Sequence, residues 1–140
     1  MHNRYAFVLV AMLILSASVH AQECAPVLPG AAKVEGVQYR LAYRTEPEKV
    51  VLGRHFSMEV VICGKTGAES IEGLKVDAVM PEHRHGMNYR ATAKRLDAGR
   101  YRFDGLMFHM PGRWDLVFDV SGGGKTERLV REDVLRNESR

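Results

Sequence analysis

Cysteine is scarce in this chain. Its 140 residues include two, Cys24 and Cys63, too few for a disulfide-dense miniprotein. Proline (5) and glycine (13) are near average and aliphatic residues are plentiful, which excludes collagen-like, coiled-coil and disordered compositions. The chain is too short for a TIM barrel or a two-domain dinucleotide enzyme. Neither positive nor negative charge predominates. Lys and Arg number 20 against 17 Asp and Glu, and the formal net charge of +3 is too mild to argue for a nucleic-acid partner. The longest apolar run, residues 5–15, has eleven residues, well short of the roughly 20 that span a bilayer. With 46% hydrophobic and 26% charged residues, the composition is that of one ordinary globular domain.

That short apolar run has a different meaning. His2, Asn3 and Arg4 form a weakly basic start, residues 5–15 (YAFVLVAMLIL) an apolar centre, and residues 16–21 (SASVHA) a small-residue end with Val19-His20-Ala21 at the cut. This layout predicts a cleaved signal peptide over 1–21. Glu23 beside Cys24 does not suit a lipid-acceptor cysteine. The expected mature chain, 22–140, has no further span and is placed in the periplasm or otherwise outside the cytoplasm. An oxidising compartment predicts a Cys24–Cys63 disulfide, with a pair of thiolate metal ligands as the alternative.

The mature chain reads as strands. Residues 55–63 place Phe56, Met58, Val60 and Ile62 on one face, and 113–120 do the same with Trp114, Leu116, Phe118 and Val120. Both alternate with period two. Weaker or similar patterns cover 36–43, 74–80, 89–95, 100–110 (with a bulge at Gly105) and 125–135, where a short helix over 127–135 is the alternative. Residues 22–35 read as an irregular lead-in and 136–140 as a polar tail. About seven strands over 36–135, separated by Gly and Pro turns, predict an all-β, two-sheet antiparallel immunoglobulin-like sandwich.

Several motifs lead nowhere. Gly124-Lys125-Thr126 lacks the glycine a phosphate loop needs five residues before it, where Asp119 stands, and reads as a hairpin turn. Asn137-Glu138-Ser139 is a sequon in a polar tail. Arg84, Arg90, Lys94, Arg95, Arg100 and Arg102 read as a solvated hairpin face. No nucleophile elbow, HExxH motif or isolated carboxylate pair is present, so no enzyme is expected.

Histidine and methionine carry what chemistry there is. Seven of the nine in the mature chain fall in two windows, Met80-Pro81-Glu82-His83-Arg84-His85-Gly86-Met87 and Met107-Phe108-His109-Met110-Pro111-Gly112. Thioethers select Cu(I), and imidazole accepts either copper oxidation state. Ca²⁺ and Mg²⁺ want oxygen instead. The expected ligands are His83, His85, Met87 and His109, with Met80, Met107 and Met110 as alternates. Met80 extends the inward face of Leu74, Val76 and Ala78, and Met110 shares the parity of Leu106 and Phe108, so core packing is equally open for these two. His55 and Met58 stand apart and read as structural.

The turn Leu96-Asp97-Ala98-Gly99-Arg100 brings the windows together. Centred near 97 and 98, it pairs residues whose numbers add to about 195 or 196. That register sets Met87 opposite Phe108 or His109, and His85 opposite Met110 or Pro111. A slip of one residue would turn any ligand to the other face.

The run Met80-Pro81…His83…His85-Gly86-Met87, followed by Gly99, Tyr101, Phe103, Phe108 and Met110-Pro111-Gly112-Arg113-Trp114-Asp115-Leu116, resembles the YtkA-like domain family over about residues 35–121. The resemblance implies a small exported bacterial immunoglobulin-like domain, often associated with copper handling or membrane-protein assembly. Met87 and His109 are also similar in ligand chemistry to periplasmic Cu(I) chaperones of the PCuAC type. That pattern differs here, with Val76 in place of an upstream histidine and Met110 directly after His109. The expected function is an exported copper-binding accessory protein, chaperone or buffer, favouring Cu(I) over Cu(II) and passing copper to a periplasmic or membrane protein. The alternative is an envelope adaptor module that binds no metal.

Overall fold

A computed structural model describes residues 24–136. The expected signal peptide (1–21) and the sequon at Asn137 lie outside the described residues. Among the described residues every element is a strand: β1 (Ala32–Glu35), β2 (Tyr39–Glu46), β3 (Phe56–Gly64), β4 (Gly73–Met80), β5 (His85–Gly86), β6 (Thr92–Asp97), β7 (Arg100–Leu106), β8 (Gly112–Gly122) and β9 (Lys125–Leu135). They form two antiparallel sheets, ordered β1-β2-β3-β7-β6 and β5-β4-β8-β9.

Alternation explains the layering. In β3, Phe56, Met58, Val60 and Ile62 are buried, and in β8 so are Trp114, Leu116, Phe118 and Val120. These two rows meet in one core, closed by Leu41, Tyr43, Leu74, Ala78, Met80, Tyr101, Phe103, Leu106 and Phe108. Tyr43 of one sheet lies 5.2 Å, centre to centre, from Phe118 of the other. Burying each large apolar side chain contributes about 1.5–3 kcal/mol.

The outward residues of the larger sheet are charged and paired across strands. Arg44 sits opposite Glu59, which sits opposite Arg102. Burial alone would raise the Glu59 carboxyl, but hydrogen bonds donated by Arg100 and Arg44 outweigh it and hold the group below its ordinary value. Asp119 is likewise held low by the hydrogen bonds from Arg128. Two of the arginines read as a solvated face are thus in ion pairs: Arg100 with Glu59, and Arg102 with Asp104 and Glu46.

Turn chemistry sets the registers. The β8–β9 hairpin closes on Gly123 and Gly124, both at positive φ (57° and 71°), between the paired Gly122 and Lys125. Positive φ at both central residues is the tight turn whose twist matches the strands it joins. The Gly-Lys-Thr sequence is therefore a hairpin, as expected. The β6–β7 register is also the expected one, with Thr92 opposite Asp104 and Arg95 opposite Tyr101. A bulge falls at Gly105 (φ 86°), where β7 advances three residues, from Phe103 to Leu106, while β3 advances two, from Met58 to Phe56.

The strand expected over 125–135 is β9, and the helix alternative for 127–135 falls because those residues pair along β8 from Glu127 to Leu135. Three expectations are corrected. The lead-in expected to be irregular through 35 carries β1, which pairs with β2 from Ala32 to Glu35. The strand expected over 89–95 begins only at Thr92. The β6–β7 pairing stops at Thr92 and Asp104 and does not continue to Met87. Instead Gly86 and His85 pair with Val79 and Met80 in the other sheet. Cys24 and Cys63 are disulfide-bonded, with Cα atoms 5.9 Å apart.

Candidate metal centre

The two His/Met windows meet at one end of the sandwich. The first is the β4–β5 hairpin. Pro81 follows Met80, and the N–H of His83 donates to the Met80 carbonyl at 3.2 Å, closing a turn. Arg84 then takes a left-handed conformation (φ 55°), unusual for a residue with a Cβ. This returns the chain to the sheet so that His85 lies opposite Met80. Directly paired side chains share a face and sit about 4.5–5.5 Å apart at Cβ. Met80 is fully buried, so His85 lies over its edge of the core. At Gly86, a Cβ would stand 3.3 Å from the Ala78 carbonyl, and the next residue, Met87, donates its N–H to that carbonyl at 3.0 Å.

The second window is the β7–β8 connection, pinned on both sides of His109. Phe108 is buried and stacks on Phe56 at 5.2 Å, while its carbonyl accepts the Gly53 N–H at 2.8 Å. The Met110 carbonyl accepts the indole N–H of Trp114 at 3.1 Å. Gly112 has φ 133°, and a Cβ there would stand 3.0 Å from the Met80 methyl.

The consequence is a row of imidazoles over an indole. The ring centres of His85 and His109 are 5.1 Å apart, and those of His83 and His85 5.8 Å apart. Trp114 meets both His85 (5.7 Å) and His109 (5.3 Å) at steep angles, and packs on Phe108 at 5.2 Å. Exposure falls along the row: His83 is exposed, His85 and His109 are half-buried, and Trp114 is buried.

Two nitrogens define what the pair can do. Nδ1 of His85 lies 3.1 Å from the Gly86 carbonyl. A carbonyl only accepts, so the proton is on Nδ1 and the Nε2 lone pair of the neutral ring is free. A second hydrogen bond of this kind is what orients a metal-binding histidine. Nδ1 of His109 is buried and has no hydrogen-bond partner. An orphan of this sort costs about 1–3 kcal/mol unless something else satisfies it.

The remaining expected ligands are spread out. Met80 is core and lies across the ladder from His85, and Met110 packs half-buried against the core. Met107 is half-buried. Met87, two residues beyond His85, lines a separate groove of about 610 Å³ with Val76, Tyr89 and Phe103. His55 stands against Tyr89 at 5.2 Å, and Met58 is core. Trp114 was legible as a core residue but not as the floor of the histidine row, since that needs the loop carrying His109 to fold over it. Among the described residues, no three His, Cys, Asp or Glu side chains are grouped to hold one metal ion. Comparison of the chain with protein-family models, curated proteins and solved structures finds no match.

Proposed function

We propose that this chain is an exported, immunoglobulin-like copper-binding protein of YtkA-like type, acting as a chaperone or buffer, and that it holds one Cu(I) between His85 and His109. The observation that carries this is the 5.1 Å approach of two imidazoles from segments 24 residues apart in the chain, one with Nε2 left bare and the other with an unpartnered buried Nδ1. Two imidazoles binding one ion in a straight line, with nitrogens about 2.0 Å from it, would have centres about 6.3 Å apart. The shorter separation suits a bent pair that leaves room for a third donor. Met80, across the ladder from His85, supplies a thioether at the right edge of the core. Met110 and Met107 flank His109 in sequence. Met87 is the outlying member of the set.

The donor set favours the monovalent ion. A Zn²⁺ site takes four ligands, typically Cys, His or carboxylate, and Cu²⁺ prefers a tetragonal nitrogen and oxygen set. Cu(I) accepts two or three soft donors. A signal peptide and an oxidising compartment fit the disulfide. The expected recipient is a periplasmic or membrane protein that takes copper by ligand exchange. Anaerobic competition against a Cu(I) chelator tests the proposal. Wild-type protein should withhold one equivalent, and the His85→Ala/Met87→Ala/His109→Ala variant should not. Equally little copper withheld by both would refute it.

A second reading, an adaptor that binds no metal, has one observation in its favour. Val79, Val130 and Val134 are exposed on the outer face of the smaller sheet. It predicts that the wild-type chain withholds no copper.

A further inference from the structure

The three histidines form a row, not a cage. His85 touches both neighbours, His83 on one side (5.8 Å) and His109 on the other (5.1 Å). No three such side chains are grouped to hold one ion among the described residues. Both separations lie below the roughly 6.3 Å that two imidazoles sharing one ion span in a straight line. The row therefore contains two overlapping two-histidine positions with His85 common to both. We propose that His83 and His85 form an outer entry position and His85 and His109 an inner holding position, so that His83 is an exchange ligand that sets the rate of copper transfer and not the affinity. This rests on the copper-binding proposal above.

The environment of each ring separates the roles. His83 is exposed and sits on a four-residue turn whose next residue, Arg84, has positive φ. Its ring stands against that of His85. An incoming metal complex reaches it first. His109 is clamped between the buried Phe108 and the Met110 carbonyl that binds Trp114, and its Nδ1 is closed to water. His85 is held by its Nδ1–H···O=C bond to Gly86, which keeps Nε2 free whichever neighbour shares the ion. Transfer inward then exchanges one bond for another: the Cu(I)–His83 bond breaks as the Cu(I)–His109 bond forms, and the His85 bond is kept. Copper stays Cu(I) throughout, and no proton or electron need move. Release to an acceptor is the reverse. A ligand used only on the way speeds entry and exit by the same factor, so removing it leaves their ratio almost unchanged.

The test uses the full chain and Cu(I) delivered anaerobically as its bicinchoninate complex, with equilibrium competition and stopped-flow transfer measured side by side. For His83→Ala the affinity should stay within about twofold of wild type while transfer slows about tenfold in both directions. His83→Asn tests whether a polar side chain of the turn suffices; transfer should remain slow. For His109→Ala the affinity should fall about tenfold or more, while fast initial uptake persists. If His83→Ala leaves both rates unchanged, or lowers affinity as much as His109→Ala does, the two-position scheme is wrong although copper binding stands. If wild type takes no Cu(I) at all, the copper-binding proposal fails and this one with it.

Discussion

Cutting the Cys24–Cys63 bridge isolates one part of the stability. The bond closes 39 residues of sequence separation. On the chain-entropy model a loop of that size removes about 13 cal/mol/K from the unfolded chain, or about 3.9 kcal/mol at 25 °C. The native state gives some of this back. Residues 24–31 precede β1 and form no strand, and Leu28 is their one buried side chain. Freed from Cys63, that segment frays and regains backbone entropy of about 1 kcal/mol per residue released. The net loss in Cys24→Ala/Cys63→Ala should therefore be about 2–3 kcal/mol, a fall of roughly 8–12 °C in melting temperature for a domain this size. The assay is urea unfolding of variant and oxidised wild type, with thiol alkylation and non-reducing mass spectrometry to fix the redox state. The m-value should also rise, since an unbridged unfolded chain exposes more surface. A difference under about 0.5 kcal/mol with an unchanged m-value would refute the reasoning. Two free thiols in freshly purified wild-type protein would refute the bridge itself.

Two further outcomes follow from backbone and charge. Gly99→Ala should destabilise by about 3 kcal/mol or more, read from the denaturation midpoint. Gly99 has φ 78°, and an added Cβ would stand 2.4 Å from the Ile62 carbonyl oxygen, which is backbone and cannot turn away. Retained wild-type stability would contradict the turn geometry. Glu59 is held below its ordinary value, so its contribution is present above the normal carboxylate range and is lost as pH falls through its folded value. At pH 7, Glu59→Gln should cost about 1–2 kcal/mol, because its side chain is 12% exposed but both arginine partners are more than 40% exposed. Stability of wild type should then converge on that of the variant as pH falls toward 3. Parallel acid profiles would exclude Glu59 as a source of the acid sensitivity.

The strands that alternate cleanly were legible in the sequence. The rows Phe56/Met58/Val60/Ile62 and Trp114/Leu116/Phe118/Val120 have one buried face each, and period two identifies such a face without tertiary information. The Gly99 turn fixed the β6–β7 register because a tight turn leaves few pairings. β5 was not legible. It is two residues long, and its partner is β4 in the opposite sheet, reached through a turn that depends on a left-handed arginine. No local pattern marks that choice. The two metal-like windows meet as expected, but by this other route. His85 and His109 touch because β5 folds onto β4 and the Phe108 loop crosses the sandwich end, not because one hairpin extends to both. β1 was hidden because Ala32-Lys33-Val34-Glu35 has one buried residue and is defined by its pairing with β2.

X-ray absorption at the copper edge of anaerobically loaded protein reads the His85–His109 pair most directly. Wild type should show a low-coordinate Cu(I) with the multiple scattering of two imidazoles, and His109→Ala should lose one of them. A spectrum without imidazole scattering, or imidazole scattering that His109→Ala leaves unchanged, would mean that the two rings do not share the metal.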